Sequence, residues 1–378
     1  MRNSHQARRI GLIKGGQLAR MLIQAMIPLD LIPVVLDQKE SPAGSFCQEQ
    51  FEGDSMNYEE VLAFGRKVDL ILLEFEHVNA DALETLEKEG IPVYPKPQVL
   101  RMIQDKGLQK KKWIELGLPT APFYLVDGRK DLEALPLKPP FIQKKTTLGY
   151  DGQGVKAIYS PEDFASAFDG PSLVEERVLF EKEISVVLAR GQTGEIQVYP
   201  VIEMGFDERR NILRTLKAPA QIPEKTAEKA KQMAVDIIQA LDYVGVMAIE
   251  MFMLKDGTLL INEIAPRVHN SGHHTIEANM TSQYEQCLRA VLGLPLGSSE
   301  ALQLSMMVNL YGEEGYSGKP IYEGLEEVLK SSGIFVHIYG KMETKPFRKM
   351  GHVTLIGEDW ERLQAKADYV EHTLKVIA

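Results

Sequence analysis

Residues 259–274 read LLINEIAPRVHNSGHH, and this stretch decides the fold. Leu259-Leu260-Ile261 predicts a buried strand, because three apolar residues stand between the turn signal Asp256-Gly257 and the polar Asn262. Asn262 and Glu263 fall at the end of that strand. Their oxygen atoms suit Mg²⁺, a hard cation that commonly shares such ligands with phosphate oxygens. The stretch therefore predicts a strand that ends in a metal site.

A second carboxylate stands on the apolar run that precedes this strand. Glu250 lies within residues 246–252, and Lys255-Asp256-Gly257 between the two runs is a hairpin signal. Glu250 and Glu263 are therefore predicted to face each other across adjacent strands, where two carboxylates can bind magnesium. The alternative is an ordinary pair of solvated strand residues beside a polar loop.

Three polar side chains follow the carboxylates and favour a functional site. Arg267 offers a forked donor for carboxylate, carbonate or phosphate. His269 can bind or move a proton near neutral pH, and Asn270 adds an amide beside it. This combination is typical of a site that handles a small anion.

Length and composition limit the class of protein. The chain has 378 residues, which predicts two or three domains, and its net charge of −10 argues against nucleic acid or an anionic membrane as the main partner. Cys47 and Cys287 provide neither a disulfide framework nor a zinc site, which fits a reducing cytoplasm. The sequence contains no signal peptide and no apolar run long enough to span a bilayer.

The N-terminal region reads as a βαβ unit. A strand at 10–13, a glycine turn at 14–17, a helix and a second strand at 31–36 predict a parallel crossover. The glycine spacing does not match G-x-G-x-x-G, so a tight structural turn and a nucleotide site both stay open. A further buried strand at 68–73 ends in Glu74-Phe75-Glu76, whose acids are either ligands for an amine or ribose hydroxyl, or surface residues.

Two other segments are candidate phosphate sites. A strand ending in Lys144 is followed by the glycine-rich run at 149–154, where backbone N–H groups can approach phosphate oxygens, although the Walker spacing is absent and a hairpin turn is the alternative. From about Ser305 short apolar runs predict a small β-rich domain. Its basic loop at 341–352 is a phosphate clamp or a solvated hairpin.

The run at 262–273, followed by Thr275-Ile276-Glu277-Ala278 and Ser282-Gln283-Tyr284-Glu285-Gln286, closely resembles the N5-carboxyaminoimidazole ribonucleotide synthetase family. These are ATP-grasp enzymes of purine biosynthesis. Collinear matches at Glu74-Phe75-Glu76, at Gln104-Asp105-Lys106 and at Arg348-Lys349-Met350-Gly351-His352 extend the resemblance along nearly the whole chain.

The resemblance implies a mixed α/β and α+β fold, namely an ATP-grasp fold with an N-terminal Rossmann-like parallel sheet and a small C-terminal β-rich domain. The implied domains are 1–115 (Rossmann-like), 116–178 (lid), 179–304 (central ATP-grasp) and 305–378 (C-terminal). The implied reaction joins bicarbonate to the amine of 5-aminoimidazole ribonucleotide, while ATP becomes ADP and phosphate. The implied cofactors are ATP and Mg²⁺, and the implied assembly is a cytoplasmic homodimer that binds small molecules and neither nucleic acid nor membrane.

Site roles also follow from the resemblance. Catalysis is assigned to Arg267, His269 and Asn270, and magnesium to Glu250, Asn262 and Glu263. Nucleotide binding is assigned to Lys106, Lys144, Gly149, Tyr150, Asp151, Gly152, Gln153, Gly154, Glu175, Glu176, Val178, Glu183, Asn262 and Glu263. Substrate binding is assigned to Gly15, Gln17, Leu18, Asp37, Glu74, Glu76, Lys341, Arg348 and Lys349.

The chain departs from the family pattern at four positions. Thr146, Leu148 and Gln153 replace an Arg, a Gly and a basic residue of the lid, and Phe206 stands near a position where the family often has His. These departures keep two rivals open: a different ATP-grasp ligase that makes another acyl phosphate, and a catalytically weak nucleotide-binding homologue. A nicotinamide oxidoreductase is disfavoured by the spacing of the first glycine turn.

Overall fold

The computed structural model describes residues 8–147, 154–207 and 212–378. Five predicted nucleotide contacts, Gly149, Tyr150, Asp151, Gly152 and Gln153, lie outside these ranges, and so does Leu148. In the described part of the chain, no helix combines the length and the apolarity that crossing a bilayer requires.

The N-terminal region is a parallel sheet with helical crossovers. Its elements are β1 (Arg9–Ile13), α1 (Gln17–Met26), β2 (Ile32–Asp37), β3 (Glu49–Glu52), α2 (Tyr58–Gly65), β4 (Leu70–Leu73), α3 (Ala80–Lys88) and β5 (Val93–Tyr94). The strand order is β3-β2-β1-β4-β5, and every pair is parallel. The predicted βαβ unit is confirmed. The polar edge strand β3 was not predicted, because its sequence, EQFE, lacks an apolar run.

Two short helices follow the parallel sheet. The chain forms α4 (Pro97–Gln104) and α5 (Lys106–Glu115), with Asp105 between them. The Asp105 carboxylate accepts hydrogen bonds from the backbone N–H groups of Gly107 (2.7 Å) and Leu108 (3.0 Å), which makes it the N-cap of α5. The break places Lys106 at the first position of a new helix.

The next sheet is small and antiparallel. It contains β6 (Phe123–Val126), β7 (Phe141–Lys145), β8 (Val155–Ile158) and β9 (Ser172–Glu176), in the order β6-β9-β7-β8. Strand β9 lies inside this sheet, because it pairs with both β6 and β7. The carboxyl end of β9 and the strand β7 consequently lie side by side, which brings Glu175 next to Lys144.

The largest sheet contains the hairpin with Glu250 and Glu263. Its central elements are β10 (Lys182–Arg190), β11 (Ile196–Val198), β12 (Ile202–Asp207), β13 (Ile212–Ala218), α6 (Glu224–Ala240), β14 (Gly245–Met253), β15 (Leu259–Ala265), α7 (Thr275–Ala278) and α8 (Gln283–Leu292). The strand order continues as β15-β14-β10-β12-β13 and then into the C-terminal strands. The predicted hairpin of β14 and β15 is confirmed.

Three of the C-terminal strands extend this sheet, and two others pair with each other in a separate two-stranded sheet. The remaining elements are β16 (Leu304–Tyr311), β17 (Ile321–Glu323), α9 (Leu325–Val328), β18 (Ile334–Ile338), β19 (Lys349–Gly357), α10 (Trp360–Thr373) and β20 (Lys375–Ile377). β13 pairs with β16, and β16 pairs with β19. The helix α10, which was not predicted, buries Leu363, Ala367 and Val370 in a core shared with β16 and β19.

One apolar core joins the N-terminal sheet to the central one. Side chains of α1, including Leu18 and Leu22, share a buried cluster with Cys287 and Leu288 of α8. Each fully buried leucine contributes roughly 1.5–3 kcal/mol relative to an exposed one. The packing of α1 on α8 thus holds the ends of the parallel strands beside the loop that follows β15.

Candidate active site

A β-bulge interrupts the hairpin of β14 and β15 beside Glu250 and Glu263. Glu250 of β14 lies directly opposite Glu263 of β15, as predicted. The next pair is Met251 with Ile261, so Asn262 is an extra residue on β15. In a regular strand Asn262 and Glu263 would point to opposite faces. Both contact the same cluster here, which accords with the local twist that a bulge introduces.

Three carboxylates crowd this edge of the sheet. Glu183 on β10 accepts a hydrogen bond from the Asn262 side-chain amide (3.2 Å). Burial, reinforced by the neighbouring carboxylates, raises the pKa of Glu250 to about 8. Burial likewise raises the pKa of Glu183 to about 7. The cluster therefore has more acidic groups than the surrounding lysines neutralise.

Glu263 differs from these two acids because a lysine contacts it. Burial opposes its ionisation, but Lys106 Nζ lies 2.8 Å from Glu263 Oε1, and together with Lys144 it keeps the pKa of this carboxyl below the usual value. The Glu263 side chain retains 46% exposure. An exposed carboxylate beside a lysine can exchange that partner for a metal ion or a phosphate.

The donor set fits magnesium. Mg²⁺ is usually bound by one or two carboxylates together with water and substrate phosphates, rather than by a complete protein cage. Glu250, Glu263 and Asn262 supply such oxygen donors. Among the residues that the structure describes, no group of three or more His, Cys, Asp and Glu side chains is arranged to hold a metal ion by itself.

Lysines gather on the other side of the same cleft. Lys144 Nζ lies 3.2 Å from Asn262 Oδ1 and also contacts Glu175. Lys110 Nζ lies 2.9 Å from the second Glu175 oxygen, and Lys106 lines the same cleft. Burial works against ionisation of Glu175, yet Lys144 and Lys110 outweigh it and lower its pKa to about 2. The cleft concentrates positive charge beside the acidic cluster.

This arrangement changes the interpretation of two residues. Glu175 was assigned to the nucleotide, but its carboxylate is engaged by lysines and is 4% exposed. At the same strand end Glu176 is exposed and Val178 is half-buried. Lys110 is absent from the sequence-predicted site. Its role had no local signal, because its pairing partner lies 65 positions away, at Glu175.

The loop after β15 places Arg267 and His269 against different acids. Arg267 Nη2 donates to Glu76 Oε2 (3.1 Å), and Arg267 Nε lies 2.8 Å from Glu76 Oε1. His269 Nε2 lies 3.7 Å from Glu250 Oε1, and His269 Nδ1 is 3.0 Å from Ser271 Oγ. The loop thus contacts both Glu76, which follows a parallel strand, and Glu250 on the hairpin of β14 and β15.

Asn270 is buried with its amide unsatisfied. The residue is 8% exposed, and within the described ranges neither its side-chain nitrogen nor its oxygen has a hydrogen-bond partner. Leaving such a group unpaired costs about 1–3 kcal/mol. A ligand that bonds to this amide would recover that free energy, which fits the predicted catalytic role.

The carboxyl ends of the parallel strands carry a separate group of acidic residues. The backbone N–H of Gly15 donates to Asp37 (2.8 Å), and that of Leu18 donates to Glu74 (3.1 Å). Burial raises the pKa of Glu74 to about 7. A Cβ at Gly16 would lie 2.3 Å from Glu74 Oε1, so glycine is required there. Gln17 begins α1 beside these groups.

The basic C-terminal loop turns two lysines toward the acidic regions. Lys341 lies 5.9 Å from the Tyr339 ring centroid, and its charge acts to lower the pKa of Glu74. Lys349, the first residue of β19, acts in the same sense on Glu250. The guanidinium of Arg348 instead donates to the Glu343 carbonyl (2.8 Å).

Of the glycine-rich run at 149–154, Gly154 lies inside the described ranges. It has φ +79°, and its carbonyl accepts a hydrogen bond from Lys145 N–H (2.8 Å). This bond fixes the C-terminal end of the glycine-rich run beside β7. Near Phe206, where the family often has His, the chain forms a bulge between β12 and β13.

Family models match three successive segments of the chain. A ribonucleotide synthetase preATP-grasp domain matches residues 7–104, an ATP-grasp domain matches residues 111–284, and a phosphoribosylaminoimidazole carboxylase C-terminal domain matches residues 305–366. The first match contains the parallel sheet, and the second contains Lys144, Glu175 and the carboxylates Glu183, Glu250 and Glu263. Lys106 and Lys110 lie between these two matches.

Similar proteins agree with these matches. The N5-carboxyaminoimidazole ribonucleotide synthase of Brucella melitensis is 38% identical, covering 92% of this chain and 96% of the relative. The solved N5-carboxyaminoimidazole ribonucleotide synthetase of Thermotoga maritima is 41% identical with a TM-score of 0.90, covering 98% of this chain and 99% of the other. A solved synthase of Aspergillus clavatus in complex with ADP and 5-aminoimidazole ribonucleotide is 30% identical with a TM-score of 0.89, covering 97% and 98%.

Some relatives are longer than this chain. It spans 65% of the length of the chloroplastic phosphoribosylaminoimidazole carboxylase of Vigna aconitifolia, to which it is 37% identical over 94% of its own residues. The resemblance read from residues 262–273 is confirmed along nearly the whole chain. The chain belongs to the N5-carboxyaminoimidazole ribonucleotide synthetase family of ATP-grasp proteins.

Proposed function

We propose that the protein uses ATP and bicarbonate to carboxylate the amine of 5-aminoimidazole ribonucleotide, giving N5-carboxyaminoimidazole ribonucleotide, ADP and phosphate. The observation that carries this proposal is the buried, unsatisfied amide of Asn270, on the same loop as Arg267 and His269 and beside the acidic hairpin. The names of the relatives and the Aspergillus clavatus complex support the choice of substrate.

The chemistry explains why ATP is needed. Bicarbonate is a poor electrophile because hydroxide is a poor leaving group. A bicarbonate oxygen attacks the γ-phosphorus of ATP, the bond to ADP breaks, and carboxyphosphate forms. Carboxyphosphate releases CO₂ and phosphate, and the ribonucleotide amine attacks CO₂ and loses a proton to give the carbamate. Phosphoryl transfer of this kind depends on positioning and on charge neutralisation.

In this proposal the lysines bind the phosphates of the nucleotide, and the acidic cluster binds the magnesium ion. Lys106 and Lys144 exchange their contacts with Glu263 and Asn262 for phosphate oxygens. Lys110 keeps Glu175 ionised, so that Lys144 retains an anchor during this exchange. Magnesium, when bound by Glu250, Glu263 and Asn262, neutralises charge on the transferring phosphoryl group.

The loop at 267–270 orients bicarbonate and its phosphorylated product. Asn270 supplies a buried amide, Arg267 supplies a guanidinium held by Glu76, and His269 supplies an imidazole near Glu250. Donors that are already oriented stabilise developing anionic charge without reorganisation. The roles of these three residues are therefore positional and electrostatic.

The ribonucleotide fits between the parallel-strand ends and the basic C-terminal loop. Glu74, Glu76 and Asp37, together with the turn at Gly15, Gln17 and Leu18, lie at the first of these regions. Lys341, Arg348 and Lys349 supply positive charge for the ribose phosphate from the second. Binding energy from that phosphate orients the amine toward CO₂.

The remaining parts of the proposal concern organisation. We divide the chain at 1–115, 116–178, 179–304 and 305–378, and we take magnesium as the metal and a homodimer as the assembly, as family membership implies. Cys47 and Cys287 are both unpaired thiols, which supports a reducing, cytoplasmic setting.

The deciding experiment measures ADP release by the purified protein with Mg-ATP and bicarbonate, with and without 5-aminoimidazole ribonucleotide. Strong stimulation by the ribonucleotide is expected. ATP binding without stimulation would contradict the proposal and favour another acyl-phosphate ligase or a catalytically weak homologue. Isotope-labelled bicarbonate recovered in the product identifies the carbon source.

A further inference from the structure

Gln283 holds both backbone polar groups of His269. Gln283 is the first residue of α8 and is fully buried. Its Oε1 accepts a hydrogen bond from the His269 N–H (2.9 Å), and its Nε2 donates to the His269 carbonyl (2.7 Å). The fixed polarity of the backbone N–H and C=O determines the orientation of the amide. One side chain thus replaces the two hydrogen bonds that a neighbouring strand would make.

Gln283 is itself held in place by its neighbours. Its backbone N–H donates to Thr275 Oγ1 (2.9 Å), and the Thr275 hydroxyl donates to the Gly272 carbonyl (2.6 Å). A Cβ at Gly272 would lie 2.3 Å from Gln283 Oε1. Ser282 caps the helix by accepting from the Glu285 N–H (3.2 Å). The loop at 267–272 is therefore attached to a rigid helix start.

We propose that Gln283 is a positioning residue that fixes the imidazole of His269, and with it the loop carrying Arg267 and Asn270, for the carboxylation reaction. This inference rests on the proposed function. The loop lies beyond the end of β15, and Gln283 bonds to both polar groups of the His269 backbone from α8. Its contribution is geometric, since it bonds to main-chain atoms of the loop.

The same helix provides a matched control. Gln286 is also fully buried and makes the same pair of bonds to Gly297: its Oε1 accepts from the Gly297 N–H (2.8 Å), and its Nε2 donates to the Gly297 carbonyl (2.7 Å). Gly297 lies in the connection that leads to β16, outside the proposed catalytic loop. Loss of Gln286 therefore removes equivalent hydrogen bonds without disturbing His269.

The test compares Gln283→Met with Gln286→Met, because methionine keeps the approximate volume of glutamine and removes both hydrogen bonds. In Gln283→Met the His269 amide is expected to exchange with solvent deuterium at least about 10-fold faster, since it loses its acceptor. Its kcat is expected to fall on the order of 10²-fold with an unchanged KM for ATP. Gln286→Met should accelerate exchange at Gly297 and leave kcat within about 2-fold.

Gln283→Glu provides a second, more conservative variant. It keeps an acceptor for the His269 N–H and loses the donor to the His269 carbonyl, so His269 exchange and kcat should lie between those of the wild type and Gln283→Met. Unchanged exchange at His269 in both Gln283 variants would overturn the positioning role, as would an equal loss of kcat in Gln286→Met. The exchange measurement needs no turnover, so it decides this role even if the ribonucleotide fails to stimulate the wild type.

Discussion

Glu175 and Glu250 are two carboxylates on neighbouring sheets, and they differ in what neutralises them. Glu175 lies between Lys110, at 2.9 Å, and Lys144, and its pKa is lowered to about 2. Glu250 Oε1 lies 3.7 Å from His269 Nε2, and the pKa of Glu250 is raised to about 8. Burial pushes both pKa values upward, so the placement of lysines decides the difference.

The difference distinguishes a carboxylate that stabilises the fold from one that is suited to bind a ligand. A carboxylate neutralised by two lysines contributes to the folded state whether or not a ligand is present. A buried carboxylate that lacks such partners is poised to receive a cation, and perturbed acids of this kind cluster at functional sites. Glu175 therefore anchors the lysines, whereas Glu250 has the surroundings expected of the magnesium ligand that we propose it to be.

The largest expected effect is on turnover in Glu250→Gln. The variant loses a metal ligand, so kcat should fall on the order of 10⁴-fold, because metal neutralisation supplies several kcal/mol to phosphoryl transfer. Without magnesium, its melting temperature at neutral pH should stay close to that of the wild type, because burial keeps Glu250 largely protonated and the amide replaces a neutral acid. ADP release and thermal unfolding measure the two quantities. A marked loss of stability would mean that Glu250 is architectural, like Glu175.

Glu175→Gln should behave in the opposite way. The change leaves Lys110 and Lys144 beside a neutral amide, and breaking a buried pair from one side typically costs about 3–5 kcal/mol. Urea unfolding in the absence of ligands measures this loss, with Glu250→Gln as the control. If both variants unfold at the same urea concentration, the contrast between the two carboxylates is wrong.

Glu74 extends the contrast to pH. Its pKa is raised from 4.5 to about 7, mainly by burial, so between these values the folded state binds more protons than the unfolded state. Stability should therefore fall by about 3 kcal/mol as the pH rises through this window. For Glu175, with its lowered pKa, stability is instead lost as the pH falls from 4.5 toward 2.

Urea unfolding of Glu74→Gln between pH 5 and pH 8 isolates the contribution of Glu74. The amide keeps an acceptor for the Leu18 N–H and does not titrate, so the variant should lose less stability than the wild type as the pH rises. Identical slopes for the two proteins would show that Glu74 does not hold its proton in the folded state.

Arg267→Ala tests whether a paired residue can also serve chemistry. Bicarbonate-dependent turnover should fall about 10²-fold, the loss typical of removing one oriented donor to a developing anion. ATP affinity should be nearly unchanged, because Arg267 contacts Glu76 rather than the lysine cleft. Isothermal titration with ATP and steady-state kinetics measure both. A parallel loss of affinity and turnover would contradict the assigned role.

The sequence predicted those features that depend on local signals. The apolar runs and the turn at Asp256-Gly257 predicted the hairpin that pairs Glu250 with Glu263, and the glycine turn predicted the βαβ unit.

Other features arise only from tertiary structure. The bulge at Asn262 depends on the register between two strands, and the Lys110–Glu175 pair joins segments on different sheets. Helix α10 packs on the adjacent strand β19 and also on β16, which lies much earlier in the sequence, so its burial depends on a pairing of strands that no local pattern shows. The two hydrogen bonds from Gln283 to His269 required the position of α8 relative to the loop.

Lys349→Ala has the smallest expected effect and tests whether the basic loop serves the phosphate or the acids. Losing one charge-assisted hydrogen bond to phosphate costs about 1.5 kcal/mol, so KM for the ribonucleotide should rise about 10-fold while kcat changes little. Lys345→Ala, an exposed lysine of the same loop, is the control and should leave both constants unchanged. Lys349 also acts electrostatically on Glu250. An unchanged KM with a lowered kcat would therefore remove Lys349 from the phosphate clamp and assign it to the acidic cluster, where it would do for Glu250 in part what Lys110 does for Glu175.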